Sequence, residues 1–217
     1  MRQQTGETKG NARAEMIFAT GNAHKLKEFR EIVGGDIVVC GLSDMGCDAD
    51  IPEDAETLEG NALAKARWVA ARYGAPCFAD DTGLEVDALD GRPGVHSARY
   101  GCAEGHDAQA NRQRLLSELQ GVEPAARTAR FRTVIAYIDA RGAEHLFEGT
   151  VEGHILDSER GGDGFGYDPL FVPAGWTQTF AEAGADRKNA VSHRGRAVRA
   201  FVDFLRNEKQ KNNNNTR

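Results

Sequence analysis

The stretch CFADDTGLEVDALDGRPGVHSARY, residues 77–100, runs from a short apolar segment directly into two adjacent aspartates. Two neighbouring carboxylates repel each other, and neither can be buried without a cationic partner. Asp-Asp-Thr-Gly is also good turn chemistry, because Asp and Thr accept local backbone hydrogen bonds and Gly adopts positive φ. An ordinary acidic turn is therefore the alternative to a functional site at Asp80 and Asp81.

The segments around these aspartates alternate between strand and helix patterns. The apolar run MIFAT, residues 16–20, predicts a strand, and the helical spacing of apolar residues after Asn22 predicts a helix that Asn22 caps. The same reasoning predicts strands over 36–41, 76–79, 129–139 and 144–155, and helices from Thr57 or Leu58 to Tyr73, from Asp107 to Gly121 and from Ser192 to Arg206. This order predicts an α/β fold with a mixed central β-sheet flanked by helices.

Strand 76–79 places Asp80 and Asp81 at its carboxyl end. Ligands in open α/β sheets bind outside the carboxyl ends of the strands. The predicted position therefore favours a functional site over a plain turn.

Length and charge limit the class of protein. The 217 residues suit one domain, which we place over residues 15–207, with disordered segments at 1–14 and 208–217. Lys and Arg total 27 against 33 Asp and Glu, which disfavours a sequence-independent binder of nucleic acid. No apolar run approaches the roughly 18 residues of a membrane span, so we expect a cytoplasmic protein with no membrane partner.

The turn TGNAHK suits phosphate binding. A Gly-containing strand-to-helix turn exposes backbone N–H groups, and a Lys in the first helical turn adds a mobile cation. A capped helix with ordinary surface lysines is the alternative. The candidate residues are Thr20, Gly21, Asn22, Ala23, His24 and Lys25.

Glu53 joins the two aspartates as a candidate metal ligand. Mg²⁺ takes one or two carboxylates together with substrate phosphate oxygens and water. Glu53, Asp80 and Asp81 lie in segments that could converge, and Thr82 adds a hydroxyl for a ligand. The alternative for Glu53 is a solvated acidic loop, shared with Asp54.

Two further motifs carry groups suited to a nucleotide. In GGDGFGYDP, residues 161–169, glycines allow close backbone approach and aromatic rings offer flat surfaces for a base. In KNAVSHRG, residues 188–195, cations lie at a helix N-terminus, which is unfavourable unless an anion binds there. A plain glycine loop and a Ser192 cap with surface charge are the alternatives. The candidates are Phe165, Gly166, Tyr167, Asp168, Lys188, His193 and Arg194.

Taken in order, these motifs resemble those of the inosine triphosphate pyrophosphatase family, the Ham1 or RdgB-like proteins. The resemblance covers roughly residues 15–206 and rests on TGNAHK, EGNALAKA, ADDTGLEVDAL, PGVHSARY, FGYDP and KNAVSHRG. It implies a Mg²⁺-dependent homodimer with a cleft between two lobes. It also implies hydrolysis of deaminated purine nucleoside triphosphates (ITP, dITP, XTP) to the monophosphate and pyrophosphate.

Carried over by motif, the resemblance makes Asp81 the catalytic proton acceptor and a metal ligand, and Glu53 a second ligand. It leaves Asp80 either as a ligand or as a residue that holds the loop. The substrate contacts would be Thr20 to Lys25, Thr82, Phe165 to Asp168, Lys188, His193 and Arg194. We expect His193 and Arg194 to read the 6-oxo edge of the base. Thr82 stands where many members have Ser, and His96 where Tyr is frequent.

Two other functions stay open at this point. A non-catalytic nucleotide sensor would keep the cleft and bind without hydrolysis. A phosphatase of another nucleotide class, such as modified pyrimidines, would differ in its substrate range.

Overall fold

A mixed β-sheet forms the centre of the chain, and helices cover its faces. The structure, a computed structural model, describes residues 14–35, 37–49, 51–102 and 107–215. The strands are β1 (Ala14–Phe18), β2 (Ile37–Gly41), β3 (Cys77–Val86), β4 (Pro93–Gly94), β5 (Thr128–Ile138), β6 (Glu144–Ile155) and β7 (Phe171–Pro173). The helices are α1 (Ala23–Val33), α2 (Leu58–Tyr73), α3 (Ala108–Glu118), α4 (Ala185–Val191) and α5 (His193–Asn215).

The strand order is β2-β1-β3-β5-β6-β7, with β4 paired to β3. β1 is parallel to both of its neighbours, whereas β3, β5, β6 and β7 form antiparallel pairs. The predicted hairpin is the β5–β6 pair, joined residue by residue from Thr128 opposite His154 to Ile138 opposite Glu144. The predicted α/β class with a mixed central sheet is confirmed.

The prediction that the third strand ends at Ala79 is wrong. β3 continues to Val86, because its pairing with β5 is unbroken from Cys77 to Val86. Its parallel neighbour β1 stops earlier, at Phe18 opposite Phe78. Asp80 and Asp81 therefore lie within a strand, just beyond the carboxyl end of its parallel partner.

Alternation along β3 divides the core. Phe78 packs with α1 and α5, whereas Cys77 and Ala79 pack with α2 on the opposite face. The C-terminal half of β3, the N-terminal half of β5 and the C-terminal half of β6 pack with α3 in a separate cluster that includes Leu84 and Leu115. We call this part of the molecule the distal lobe. The sheet thus runs through two lobes, and Asp80 and Asp81 lie where one gives way to the other.

The C-terminal segment differs from the prediction in its length. α4 and α5 are separated at Ser192, whose hydroxyl accepts the backbone N–H of Gly195 at 3.0 Å, as a cap requires. α5 then continues to Asn215, so residues 208–215 are helical where we predicted a disordered tail. Glu208 supports this extension by accepting from Lys211 at 3.0 Å, one turn along the helix. Residues 1–13, 216 and 217 lie outside the described part of the chain.

The described helices also bear on membrane association. None of them combines the length and the apolar character that crossing a bilayer requires.

Gly149 of β6 fixes the approach of α5. A Cβ at this position would overlap the carbonyl oxygen of His193 and the backbone nitrogen of Ala197. We expect Gly149→Ala to lower the free energy of unfolding by about 1–3 kcal/mol, because α5 must shift away from the sheet. Urea unfolding of this variant beside Gly162→Ala, where a Cβ meets open space, tests the prediction. Equal stability of the two variants would contradict it.

Candidate active site

The turn between β1 and α1 is held by its own side chains. Thr20 Oγ1 accepts the backbone N–H of Asn22 at 3.1 Å. Asn22 Oδ1 accepts the N–H groups of His24 and Lys25 at 3.0 and 3.1 Å, which confirms the predicted cap. The cap sets the start of α1 so that Lys25 faces the sheet.

Asp80 and Asp81 project to opposite faces of β3, as neighbouring strand residues must. Asp80 faces α1 and α5. Its Oδ1 accepts from Lys25 Nζ at 3.0 Å, and its Oδ2 accepts from two nitrogens of Arg194 at 3.3 Å. Thr82, on the same face, hydrogen-bonds the hydroxyl of Thr133 at 2.8 Å and accepts from Arg194 at 3.2 Å.

Asp81 faces α2, where a different set of groups surrounds it. Its two oxygens accept from Asn61 Nδ2 at 3.1 Å and from Lys65 Nζ at 3.3 Å. Lys65 Nζ also donates to the carboxylate of Glu53. The loop that carries Glu53 is held by Arg99, whose guanidinium donates to the Glu53 carbonyl at 2.5 Å. Glu53 and Asp81 therefore converge on one ammonium group.

The glycine-aromatic loop meets the α4–α5 segment at a buried ion-pair network. Lys188 Nζ donates to Asp168 and to Glu28 of α1, at 2.7 Å in each case. Arg194 binds the second oxygen of Glu28. Asp168 Oδ2 accepts the backbone N–H of Phe165 at 2.8 Å, and the Phe165 ring lies 4.8 Å from Lys188 Nζ. The structure thus brings Phe165, Asp168, Lys188 and Arg194 together.

Two further residues predicted to contact the substrate, Tyr167 and His193, are buried. Tyr167 is buried, and its hydroxyl donates to the carbonyl of Ser97 at 2.9 Å. His193 is buried against Phe131, with ring centroids 4.6 Å apart, and its Nδ1 has no hydrogen-bond partner within the described residues. Burial and the charge of Arg194 lower the pKa of His193, which keeps the ring neutral. His193 therefore lies beside the ion-pair network, within electrostatic range of Arg194 and Lys188, but its Nδ1 does not hydrogen-bond to it.

Burial and charge separate the two aspartates chemically. Burial raises the pKa of Asp81, although Lys65 opposes this effect. Burial would also raise the pKa of Asp80, but the charges of Lys25 and Arg194 outweigh it and lower that pKa. Of the two carboxylates, Asp81 is the stronger base, and Asp80 is a permanently charged partner for cations.

The neighbours of Asp81 show the same competition between burial and charge. Burial would raise the pKa of Glu53, but Lys65 outweighs it and lowers the pKa. Burial would lower the pKa of Lys65, yet Asp81 and Glu53 outweigh it and raise the pKa. Lys65 is therefore held in its charged form between the two carboxylates.

Sequence reasoning missed three residues of this region, namely Glu28, Asn61 and Lys65. A signal was present for two of them, since Asn61 and Lys65 are polar, four positions apart, on the otherwise apolar face of α2. Buried polar groups on an apolar face require partners, and that requirement points to the aspartates. Glu28 gives a weaker signal, because it lies beside the apolar positions Leu26 and Phe29 at the edge of the buried face.

The carboxylates around Lys65 are potential ligands for a metal ion. No group of three or more His, Cys, Asp or Glu side chains within the described ranges is placed to hold a metal. Two carboxylates, Glu53 and Asp81, do converge on a cationic group. One or two carboxylates with phosphate oxygens is the set that Mg²⁺ uses in nucleotide enzymes, so these residues fit Mg²⁺. Asp80 lies on the other face, which favours its role in holding neighbouring side chains.

The order of these groups along the chain matches a known family. The model of the Ham1 family matches residues 16–204. The chain belongs to the Ham1 family. Two relatives, each named dITP/XTP pyrophosphatase, extend the match over nearly their full length. The protein from Porphyromonas gingivalis is 56% identical over 191 residues, 88% of this chain and 97% of the relative. The protein from Flavobacterium psychrophilum is 45% identical over 193 residues, 89% of this chain and 100% of the relative.

Solved structures agree with this Ham1 assignment. The Staphylococcus aureus Ham1 protein has a TM-score of 0.80 and 36% identity, and the match covers 89% of this chain and 99% of that chain. A HAM1 protein from Coxiella burnetii has a TM-score of 0.80 and 34% identity, again covering 89% of this chain and 99% of that chain. The mixed sheet with flanking helices is therefore the Ham1 fold.

Proposed function

We propose that this chain hydrolyses deaminated purine nucleoside triphosphates, namely ITP, dITP and XTP, to the monophosphate and pyrophosphate. The observation that carries the proposal is the convergence of Glu53 and Asp81 on Lys65, on the strand that also carries Asp80 and its bound Lys25. Asp81, the candidate proton acceptor, thus lies with Lys65 on one face of β3, and Asp80 lies with Lys25 on the other face. Ham1 relatives named dITP/XTP pyrophosphatase support the substrate class.

Asp81 takes the role of general base in this proposal. Attack of water on phosphorus requires a group that accepts the water proton, and a carboxylate of raised pKa does this better than an ordinary one. Burial raises the pKa of Asp81, and Asn61 Nδ2, at 3.1 Å from Oδ2, fixes the plane of the carboxylate. The hydrogen bond from Asn61 keeps the carboxylate oriented while it accepts the proton.

The triphosphate would bind between the β1–α1 turn and β3. Lys25 and Lys65 supply charge that offsets the negative charge of the phosphates, and the exposed turn at Gly21 and Ala23 supplies backbone N–H groups. Glu53 and Asp81 are the residues that would hold Mg²⁺. The ion, when bound, neutralises phosphate charge and makes the phosphorus more electrophilic.

The nucleoside would bind toward the glycine-aromatic loop. The Phe165 ring is partly exposed and stacks on the His24 ring, with centroids 5.4 Å apart, and a purine would take the place of His24 on this surface. Lys188, Asp168 and Glu28 are buried hydrogen-bonding groups beside it. A pocket lined by such groups rejects a base whose edge leaves them unpaired, by a factor that can reach about 10⁴. Adenine, which presents an amino group where hypoxanthine presents 6-oxo, would be rejected in this way.

The assembly and location of the protein complete the proposal. We expect a cytoplasmic homodimer that binds purine nucleoside triphosphates and has no nucleic-acid polymer or membrane as partner. Light scattering of the purified protein would measure the dimer, and a monomer at micromolar concentration would contradict that part.

A substrate panel tests the activity. With Mg²⁺, ITP, dITP and XTP should each release pyrophosphate and the monophosphate, and ATP should react at least about 10²-fold more slowly in kcat/KM. Chromatography of the products identifies the bond that breaks. Orthophosphate as first product would contradict the proposal. Nucleotide binding by calorimetry without hydrolysis would favour the sensor alternative, and preference for modified pyrimidines would favour the other phosphatase class.

A further inference from the structure

Arg112 of α3 reaches across to the loop that carries Phe165. Its Nη1 donates to the carbonyl of Gly166 at 2.9 Å. Its Nε lies 2.9 Å from the carboxylate of Glu159, at the start of the same loop, in a contact that is an ion pair without hydrogen-bond alignment. Only 16% of the Arg112 side chain is exposed. One side chain therefore contacts both ends of the segment 159–166.

The helix that carries Arg112 is itself firmly placed. Leu115 is fully buried in the core of the distal lobe. Asn111 is buried, and its side chain bonds the Ala98 carbonyl at 2.9 Å and the Gly101 N–H at 2.5 Å. α3 is therefore a fixed support from which Arg112 can hold a loop.

The loop needs such support because of its composition. Gly164 and Gly166, on either side of Phe165, have φ of +80° and +63°, and glycine backbone loses more conformational entropy on ordering than any other. Asp168 holds the Phe165 N–H, and Arg112 holds the carbonyl one residue later. The peptide group before Phe165 is thus fixed by Asp168, which lies beside Lys188, and the peptide group after Gly166 is fixed by Arg112 on α3.

We propose that Arg112 is a positioning residue that orders Phe165 for stacking against the purine. This inference rests on the proposed function, since it assumes that the base stacks on Phe165. The polar contacts of Arg112 are with Gly166 and Glu159 and not with Asp81, Lys65 or Lys25, so we expect its effect to be confined to the nucleoside end of the substrate. Ordering the ring in advance spares the substrate the entropy loss of ordering it on binding.

Loss of Arg112 should therefore change binding and leave the chemical step unchanged. For Arg112→Met we expect KM for ITP to rise about tenfold, while kcat stays within about twofold. Inorganic tripolyphosphate, used as a competitive inhibitor, binds only where phosphates bind, so its inhibition constant should not change. A general loss of structure would weaken the binding of inhibitor and nucleotide alike. An unchanged inhibition constant beside a raised KM therefore separates positioning from a purely structural role.

The experiment compares four variants of the full chain with wild type. Arg112→Lys keeps the charge and one donor and should restore part of the affinity, and Glu159→Gln should raise KM less than Arg112→Met does. Arg114→Met is the matched control, because Arg114 lies on the same helix but donates to the Tyr100 carbonyl at 2.5 Å and pairs with Glu118. Its KM should equal that of wild type. If Arg112→Met does not fold, Arg112→Lys and Glu159→Gln decide the matter.

Two results would overturn the inference and can be told apart. Arg112 does not position Phe165 if wild type hydrolyses ITP but the Arg112 and Glu159 variants keep the wild-type KM. The same holds if the inhibition constant of tripolyphosphate rises in parallel with KM for ITP. If wild type does not hydrolyse any purine triphosphate, the proposed function fails, and the inference fails with it.

Discussion

Asp81→Asn should lower kcat for ITP by about 10³-fold or more while the protein stays folded. The amide keeps the shape of the side chain but cannot accept the proton of the attacking water. It also removes one of the two carboxylates that would hold Mg²⁺. Burial raises the pKa of Asp81, so a neutral side chain is tolerated there, and Lys65 keeps Glu53 as its anionic partner, so we expect the variant to fold. Single-turnover kinetics with circular dichroism on the same samples would measure both effects.

The matched control lies on the same strand. Glu85→Gln also removes a carboxylate from β3, but Glu85 pairs with Arg132 at 3.2 Å on the distal part of the strand. Its kcat should stay within about twofold of wild type. An Asp81→Asn variant that turns over at a rate similar to that of Glu85→Gln would remove Asp81 from the mechanism.

The parts of the fold that the sequence predicts are those with a local signal. Asn22 caps α1 as predicted, α2 begins at Leu58, one of its two predicted starts, and β5 and β6 alternate as an antiparallel hairpin should. The end of β3 is not a local property. Asp-Asp-Thr-Gly indicates a turn, but pairing with β5 keeps the segment extended through Val86. Tertiary pairing overrides the turn propensity of these residues.

The candidate site was predictable to the extent that its residues lie in motifs. The positions of Lys25, Asp168, Lys188 and Arg194 in one network follow from motifs that converge on the end of β1. The separation of Asp80 from Asp81 follows only once β3 is known to be a strand, because a turn would let both side chains point the same way. His193 could not be placed, since its surroundings come from β5 and the loop before α4. Motif residues thus become a site only through the strand pairing.

Arg194→Met should lower the free energy of unfolding by about 3–5 kcal/mol, the largest stability change we expect from one substitution. Arg194 is 1% exposed, and its guanidinium binds both Asp80 and Glu28. Its loss leaves Asp80 with Lys25 and Glu28 with Lys188 as their remaining cationic partners. A buried carboxylate that loses a cation keeps its desolvation cost but loses the attraction that offset it.

The dependence of this effect on pH identifies its cause. The pKa of Asp80 is lowered in the folded protein, so the stability it contributes is present above the pKa of an unfolded aspartate, about 3.9. That stability is lost as the pH falls toward the lower folded value. In Arg194→Met the folded-state pKa of Asp80 should rise, so the difference between variant and wild type should shrink as the pH falls through that raised pKa toward the lower wild-type value.

Urea unfolding at several pH values measures this, with Arg196→Met as control. Arg196 lies two residues further along α5, is exposed, and donates to the Thr150 carbonyl at 2.6 Å, so its loss should cost less than about 1 kcal/mol. The double variant Arg194→Met, Asp80→Asn should be more stable than the sum of the single effects implies. In it, the Asp80 carboxylate, which is costly to bury without Arg194, is absent. A loss no larger than that of Arg196→Met, or one independent of pH, would show that the ion pairs of Arg194 do not hold the fold together at this site.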